Sequence, residues 1–81
     1  MRLPTLHING TGKIMLMNGY LEAYTALRKA EEAMCKIEFN ARDYYVQGPE
    51  AWMEAVREMD ARLAAIDKVK KEIEEILNAI D

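Results

Sequence analysis

The sequence predicts an all-α fold, an antiparallel two-helix hairpin with a short extended N-terminal arm that associates into a helical bundle. Two long segments carry apolar side chains at alternating intervals of four and three residues, which is typical of helices that pack side by side. A short segment rich in turn-forming residues separates them. At 81 residues the chain is one domain with a small core, and a small core favours association with a partner.

The N-terminal arm, residues 1–12, is expected to be extended. Pro4 disfavours a helix, and apolar and polar side chains alternate over residues 6–8, as they do in an extended segment. Residues 9–12 are turn-forming, and Thr11 is expected to cap the helix that follows.

The first helix is expected at residues 13–39, where one stripe of side chains keeps the alternating spacing. Its members are Leu16, Tyr20, Ala23, Leu27, Ala30, Met34 and Ile37. Asn18 and Gly19 are poor helix formers, and glycine costs about 1 kcal/mol relative to alanine. Either the helix begins with Asn18 as its cap, or Gly19 allows another backbone to approach closely. We expect one helix from about residue 13, because Leu16 stays on the stripe.

The second helix is expected at residues 49–81. Pro49 suits the first helical position, and Glu50 complements the positive end of the helix dipole. Lys70 interrupts the apolar stripe, and Val69 is expected to fill its place. The stripe consists of Trp52, Val56, Met59, Leu63, Ile66, Lys70, Ile73, Leu77 and Ile80.

The two predicted helices differ in length, so one end should overhang. Pairing residues 14–39 with residues 49–74 leaves the end of the second helix without a partner. The overhanging apolar side chains are Ile76, Leu77 and Ile80. We expect the apolar arm or a second copy of the chain to cover them, most simply in a homodimer that forms a four-helix bundle. The expected core includes Leu27, Met34, Leu63 and Ile66.

The turn, residues 40–48, carries the strongest functional signal. Aromatic rings beside a guanidinium suit stacking on a base with pairing to a phosphate, and they suit a protein contact equally well. The candidate binding residues of the turn are Arg42, Asp43, Tyr44, Tyr45 and Gln47. Lys13 and Arg57 are added as cations that the same chain or a neighbouring one would supply.

A structural interpretation of the same turn competes with the binding one. In that interpretation Asp43 caps a helix, and Arg42 pairs with Asp43 or with a helix carbonyl. Both tyrosines then pack under the turn beside Trp52.

Composition excludes several classes of function. The net charge is −3, and without a basic stripe we expect no binding to duplex nucleic acid. The longest apolar run, residues 14–17, is too short to span a bilayer, and we expect no signal peptide, because no apolar run follows residues 1–4. One cysteine, Cys35, and one histidine, His7, provide neither a disulfide nor a zinc site nor a nucleophile–base pair. We therefore expect a non-enzymatic protein without a cofactor or a metal.

Two motifs resemble those of a family of small helical proteins of unassigned function from tailed bacteriophages and prophages. They are His7-Ile8-Asn9-Gly10-Thr11 and Asn40-Ala41-Arg42-Asp43-Tyr44-Tyr45, the second followed by Gln47-Gly48. The resemblance implies a small phage protein in the host cytoplasm, and such proteins often counter bacterial defence. Three functions follow as hypotheses: an inhibitor that binds a host defence protein, as anti-CRISPR proteins do; a sponge for a cyclic-nucleotide defence signal; or a virion structural or assembly helper.

Overall fold

The computed structural model describes residues 1–6 and 12–80, and in that part of the chain all regular structure is helical. Helix α1 spans Lys13–Cys35, and helix α2 spans Ala51–Ile80. The two helices pack against each other in an antiparallel hairpin. This confirms the all-α hairpin, whereas association into a bundle stays a prediction.

The N-terminal arm is described only in part. Residues 1–6 form neither helix nor strand. Gly12 occupies the N-cap position of α1, with an extended backbone (φ −61°, ψ 146°). The expected cap at Thr11 and most of the expected alternating segment fall on residues 7–11, outside the described residues.

Helix α1 runs without a break through Asn18 and Gly19, as expected. The stripe that faces α2 differs from the expected one, because Ala23 and Ala30 are exposed and Ile37 lies beyond the helix end. Tyr24 and Glu31 take the places of the two alanines. The half-buried residues of α1 are Leu16, Met17, Tyr20, Tyr24, Leu27, Glu31 and Met34.

Two side-chain hydrogen bonds connect the helices. The Tyr24 hydroxyl donates to Glu74 Oε1 (2.7 Å), and the Lys70 ammonium donates to Glu31 Oε1 (3.0 Å). Lys70 therefore keeps its place on the α2 stripe, with its apolar stem along the contact and its charge on Glu31. The expectation that Val69 fills this place was wrong, because Val69 stays exposed.

These bonds also correct the expected register. Glu74 lies opposite Tyr24, whereas the expected pairing placed it opposite Ile14. In the observed register the end of α2 stays on α1, so Ile80 is buried instead of overhanging. The overhang is at the start of α1, where Ile14 and Met15 are exposed. The cause is the early end of α1, which leaves a connection of fifteen residues, 36–50, between the helices.

The core of a single hairpin is small. Among the described residues only Ala55, Ile73 and Ile80 are buried hydrophobic side chains. The four residues expected in the core are half-buried, namely Leu27, Met34, Leu63 and Ile66. The chain exposes 6479 Å², whereas a compact protein of its mass exposes about 5,000 Å². Its radius of gyration of 18.3 Å also exceeds the roughly 12 Å of a compact domain.

Candidate binding surface

The linker, residues 36–50, begins where α1 ends without a glycine. The Lys36 amide donates to the carbonyls of Ala33 and Met34, and the Ile37 amide donates to Met34. These tight bonds satisfy carbonyls of the last turn and finish the helix. The chain is extended again at Asn40 (φ −134°, ψ 135°).

Two 3₁₀ turns, Ala41–Asp43 and Tyr45–Gln47, form the middle of the linker. The Tyr44 amide donates to the Ala41 carbonyl, and the Gln47 amide donates to the Tyr44 carbonyl, both at 3.0 Å. This backbone bonding holds the linker in a defined shape without help from its polar side chains.

Gly48 turns the chain into α2 with φ 110° and ψ 166°. Only glycine adopts this conformation without strain. The Ala51 amide donates back to the Gly48 carbonyl, and α2 begins at Ala51. Pro49 therefore lies in the turn before the helix. The expectation that it occupies the first helical position was wrong.

An aromatic cluster, Phe39, Tyr44 and Trp52, fixes the linker to the start of α2. The Phe39 and Trp52 ring centroids are 4.8 Å apart, Tyr44 and Trp52 are 5.8 Å apart, and Phe39 and Tyr44 are 5.9 Å apart. All three side chains are half-buried. Aromatic pairs at such distances add about 0.5–1.5 kcal/mol beyond their buried area. Tyr44 therefore packs beside Trp52, as the structural interpretation expected, whereas its role in binding stays a prediction.

Apart from the half-buried Ala41, the side chains of the two 3₁₀ turns are exposed. Tyr45 is 70% exposed and Val46 is 94% exposed. Within the described residues, Arg42 and Asp43 form no ion pair or side-chain hydrogen bond with the protein, so the expected pairing between them is not observed. We call the exposed set the outward surface. It consists of Arg42, Asp43, Tyr45, Val46 and Gln47.

Arg57 and Lys13 lie on the two helices, outside the linker that carries the outward surface. Arg57 is exposed on α2 and lines an open groove of about 320 Å³ with Trp52, Met53 and Val56. The groove thus adjoins the aromatic cluster. Lys13 is at the opposite end of α1, about 33 Å along the helix from its last residue. A single chain therefore does not bring Lys13 to the linker.

Sequence reasoning missed Phe39 and Val46. Phe39 is the only phenylalanine, and it was assigned to the first helix although it directly precedes a turn-forming asparagine. Val46 is a β-branched apolar residue inside a turn, where small polar residues are usual. A phenylalanine beside a turn and a β-branched residue inside a turn are both visible in the sequence. Each could have marked its residue as a member of the linker's packing or of its exposed surface.

The chain was compared with protein-family models, with curated proteins and with solved structures, and no match was found. The relationship to the phage family stays a prediction. Neither described helix has the length and apolarity needed to cross a bilayer. Over residues 1–6 and 12–80, no three His, Cys, Asp or Glu side chains lie together as metal ligands would.

Proposed function

We propose that the protein is a non-enzymatic phage accessory protein that binds and inhibits a host anti-phage defence protein through the outward surface of the linker. One observation supports this most: Tyr45 and Val46 are adjacent and expose 70% and 94% of their surface. Neither side chain belongs to the aromatic cluster that holds the linker. Apolar side chains that the fold does not use are typical of a contact surface.

The composition of the outward surface suits a protein partner. Tyrosine and arginine are the residues that most often dominate protein interfaces. Here Tyr45 and Val46 would form the apolar centre, and Arg42, Asp43 and Gln47 would form a polar rim. The linker backbone is fixed by its own hydrogen bonds, so little conformational entropy is lost on binding.

The cyclic-nucleotide sponge is less well supported by the positions of the two tyrosines. Stacking of a base on both rings would need both to be free, but the Tyr44 ring already packs on Trp52 and Phe39. Tyr45 alone remains for stacking, with Arg42 as the nearest cation in the sequence. The experiment must therefore distinguish the inhibitor from the sponge and from the virion helper.

The proposal is tested in bacterial strains that each carry one anti-phage defence system. The wild-type chain is expressed in each strain, and the plating efficiency of a sensitive phage is measured. We expect a rise of at least about tenfold in one strain. Changing Val46→Asp should abolish the rise, because a charge would then face the apolar centre of the contact. Ala64→Asp is the control, since it places the same charge on an exposed residue of α2 that has no part in the linker.

Each competing function gives a different result. A thermal shift with cyclic dinucleotides or trinucleotides, together with relief limited to nucleotide-signalling systems, would replace the proposal with the sponge. Recovery of the chain with purified virions, without relief in any strain, would replace it with the assembly helper. An equal rise in plating efficiency with the wild type and with Val46→Asp would show that the outward surface is not the binding site.

A further inference from the structure

Four polar side chains form a network across the contact between the two helices. Tyr24 and Glu31 of α1 are joined to Glu74 and Lys70 of α2 by the two hydrogen bonds described above. The Lys70 ammonium also lies 6.0 Å from the centre of the Tyr24 ring, at the outer edge of the range for a cation–π contact. Over residues 1–6 and 12–80, no other side-chain hydrogen bond or ion pair joins α1 to α2. We call these four residues the polar network.

Lys70 occupies a position where an apolar side chain would be expected. It lies on the α2 stripe between Ile66 and Ile73, and its side chain is only 14% exposed, with that of Glu31 32% exposed. An ion pair in so sheltered a site gives little net stability compared with an apolar pair of similar size, although loss of one partner is costly. The best-attested effect of a polar residue at such a position is to decide which packing the helices adopt.

Helix α1 has a second apolar side that it could turn toward α2. Ala23 and Ala30 are exposed, and each precedes a member of the polar network, Tyr24 or Glu31, by one residue or about 100° of rotation. Turning α1 by about half that angle would exchange the alanines for the network residues. The side chains common to both stripes would stay in contact with α2, namely Leu16, Tyr20, Leu27 and Met34. We call this arrangement the rotated packing.

We propose that the polar network is a conformational lock on the rotation of α1. It keeps Tyr24 and Glu31 toward α2 and prevents the rotated packing, in which the two alanines would be buried. In the rotated packing Glu31 would turn into solvent, and the sheltered charge of Lys70 would lose its partner, which is costly. The observed packing is selected because it alone pairs that charge. The inference does not depend on the proposed function.

Lys70→Leu should release the lock. In the observed packing Glu31 would then face an apolar side chain without a partner, whereas in the rotated packing it would be hydrated. The exposed Cys35 is first replaced by serine, and Ala30→Cys introduces a single thiol as the reporter. This thiol should react with an alkylating reagent at least about tenfold more slowly once Lys70→Leu is added, because the rotated packing buries it. Thr25→Cys is the control, since position 25 is exposed and faces away from α2 in both packings, so its rate should stay unchanged.

A second replacement distinguishes the lock from simple shielding by the new leucine. Lys70→Leu combined with Glu31→Leu should restore the fast reaction of the thiol at position 30, because the stripe through Tyr24 and position 31 then buries more apolar area than the stripe of alanines. Circular dichroism checks the helical content of each variant. An unchanged rate at position 30 in Lys70→Leu, or equal protection in the single and double replacements, would overturn the proposal. Loss of helical content in Lys70→Leu would also overturn it, because the network would then maintain the hairpin instead of choosing between two packings.

Discussion

Tyr44 and Tyr45 are neighbours in the sequence but lie in different surroundings. The Tyr44 ring packs on Phe39 and Trp52, whereas Tyr45 is mostly exposed. The sequence predicted an aromatic turn beside Trp52, but it could not predict which tyrosine packs. That choice depends on the break between the two 3₁₀ turns at Tyr44 and on Phe39 lying outside α1.

Replacing each tyrosine by alanine should therefore have unequal effects. Tyr44→Ala should lower the free energy of unfolding by about 1–3 kcal/mol, because it removes two aromatic contacts. Tyr45→Ala should change it by less than about 0.5 kcal/mol. Urea unfolding followed by circular dichroism measures both values. Equal losses of unfolding free energy would show that both rings hold the linker in place. Tyr45 would then not belong to the outward surface.

Gly48 is the residue whose backbone conformation most restricts substitution. At φ 110°, Gly48→Ala should cost about 1–3 kcal/mol of stability, although a Cβ there would have free space. Gly19→Ala is the control, because Gly19 has an ordinary helical backbone and equally free surroundings. Thermal unfolding of the two variants should separate them, and an equal effect would contradict the assigned turn.

The two helices differed in how well the sequence predicted their packing side. In α2 every residue of the expected stripe is buried or half-buried. In α1 two stripes were available, one through Ala23 and Ala30 and the other through Tyr24 and Glu31. The sequence of α1 alone does not decide between them, because the second stripe is selected by Lys70 and Glu74 on the partner helix.

The bonds between the helices predict sensitivity to alkaline pH. Donation to Glu74 raises the pKa of Tyr24 above its ordinary value of 10.0, and donation to Glu31 raises the pKa of Lys70 above 10.5. Both protonated forms are favoured in the folded state. The stability they contribute is therefore complete below the ordinary values and is lost as the pH rises through the raised ones.

The urea midpoint of the wild type should thus fall between about pH 8.5 and about pH 11.5. The double variant Tyr24→Phe with Glu31→Gln lacks one donor and one charged acceptor, so its midpoint should fall less over the same range. A fall of equal size in both proteins would show that other groups cause the alkaline loss.

The whole molecule depends on the register of the hairpin. The expected register assumed that α1 continues to residue 39, because Lys36, Ile37 and Glu38 contain no glycine or proline to stop a helix. The observed end at Cys35 depends on the aromatic cluster, which holds the linker on α2. This is a tertiary contact that local sequence signals do not report. In this register the outward surface of the linker stays exposed.

The register is tested most directly by cross-linking two introduced cysteines after Cys35→Ser. One variant carries Tyr24→Cys with Glu74→Cys, the pair that the structure brings together. The other carries Ile14→Cys with Glu74→Cys, the pair that an uninterrupted first helix would bring together. A short bismaleimide should join the first pair within one chain, seen by mass spectrometry under denaturing conditions, and should leave the second pair unjoined. Cross-linking of the second pair but not of the first would contradict the account.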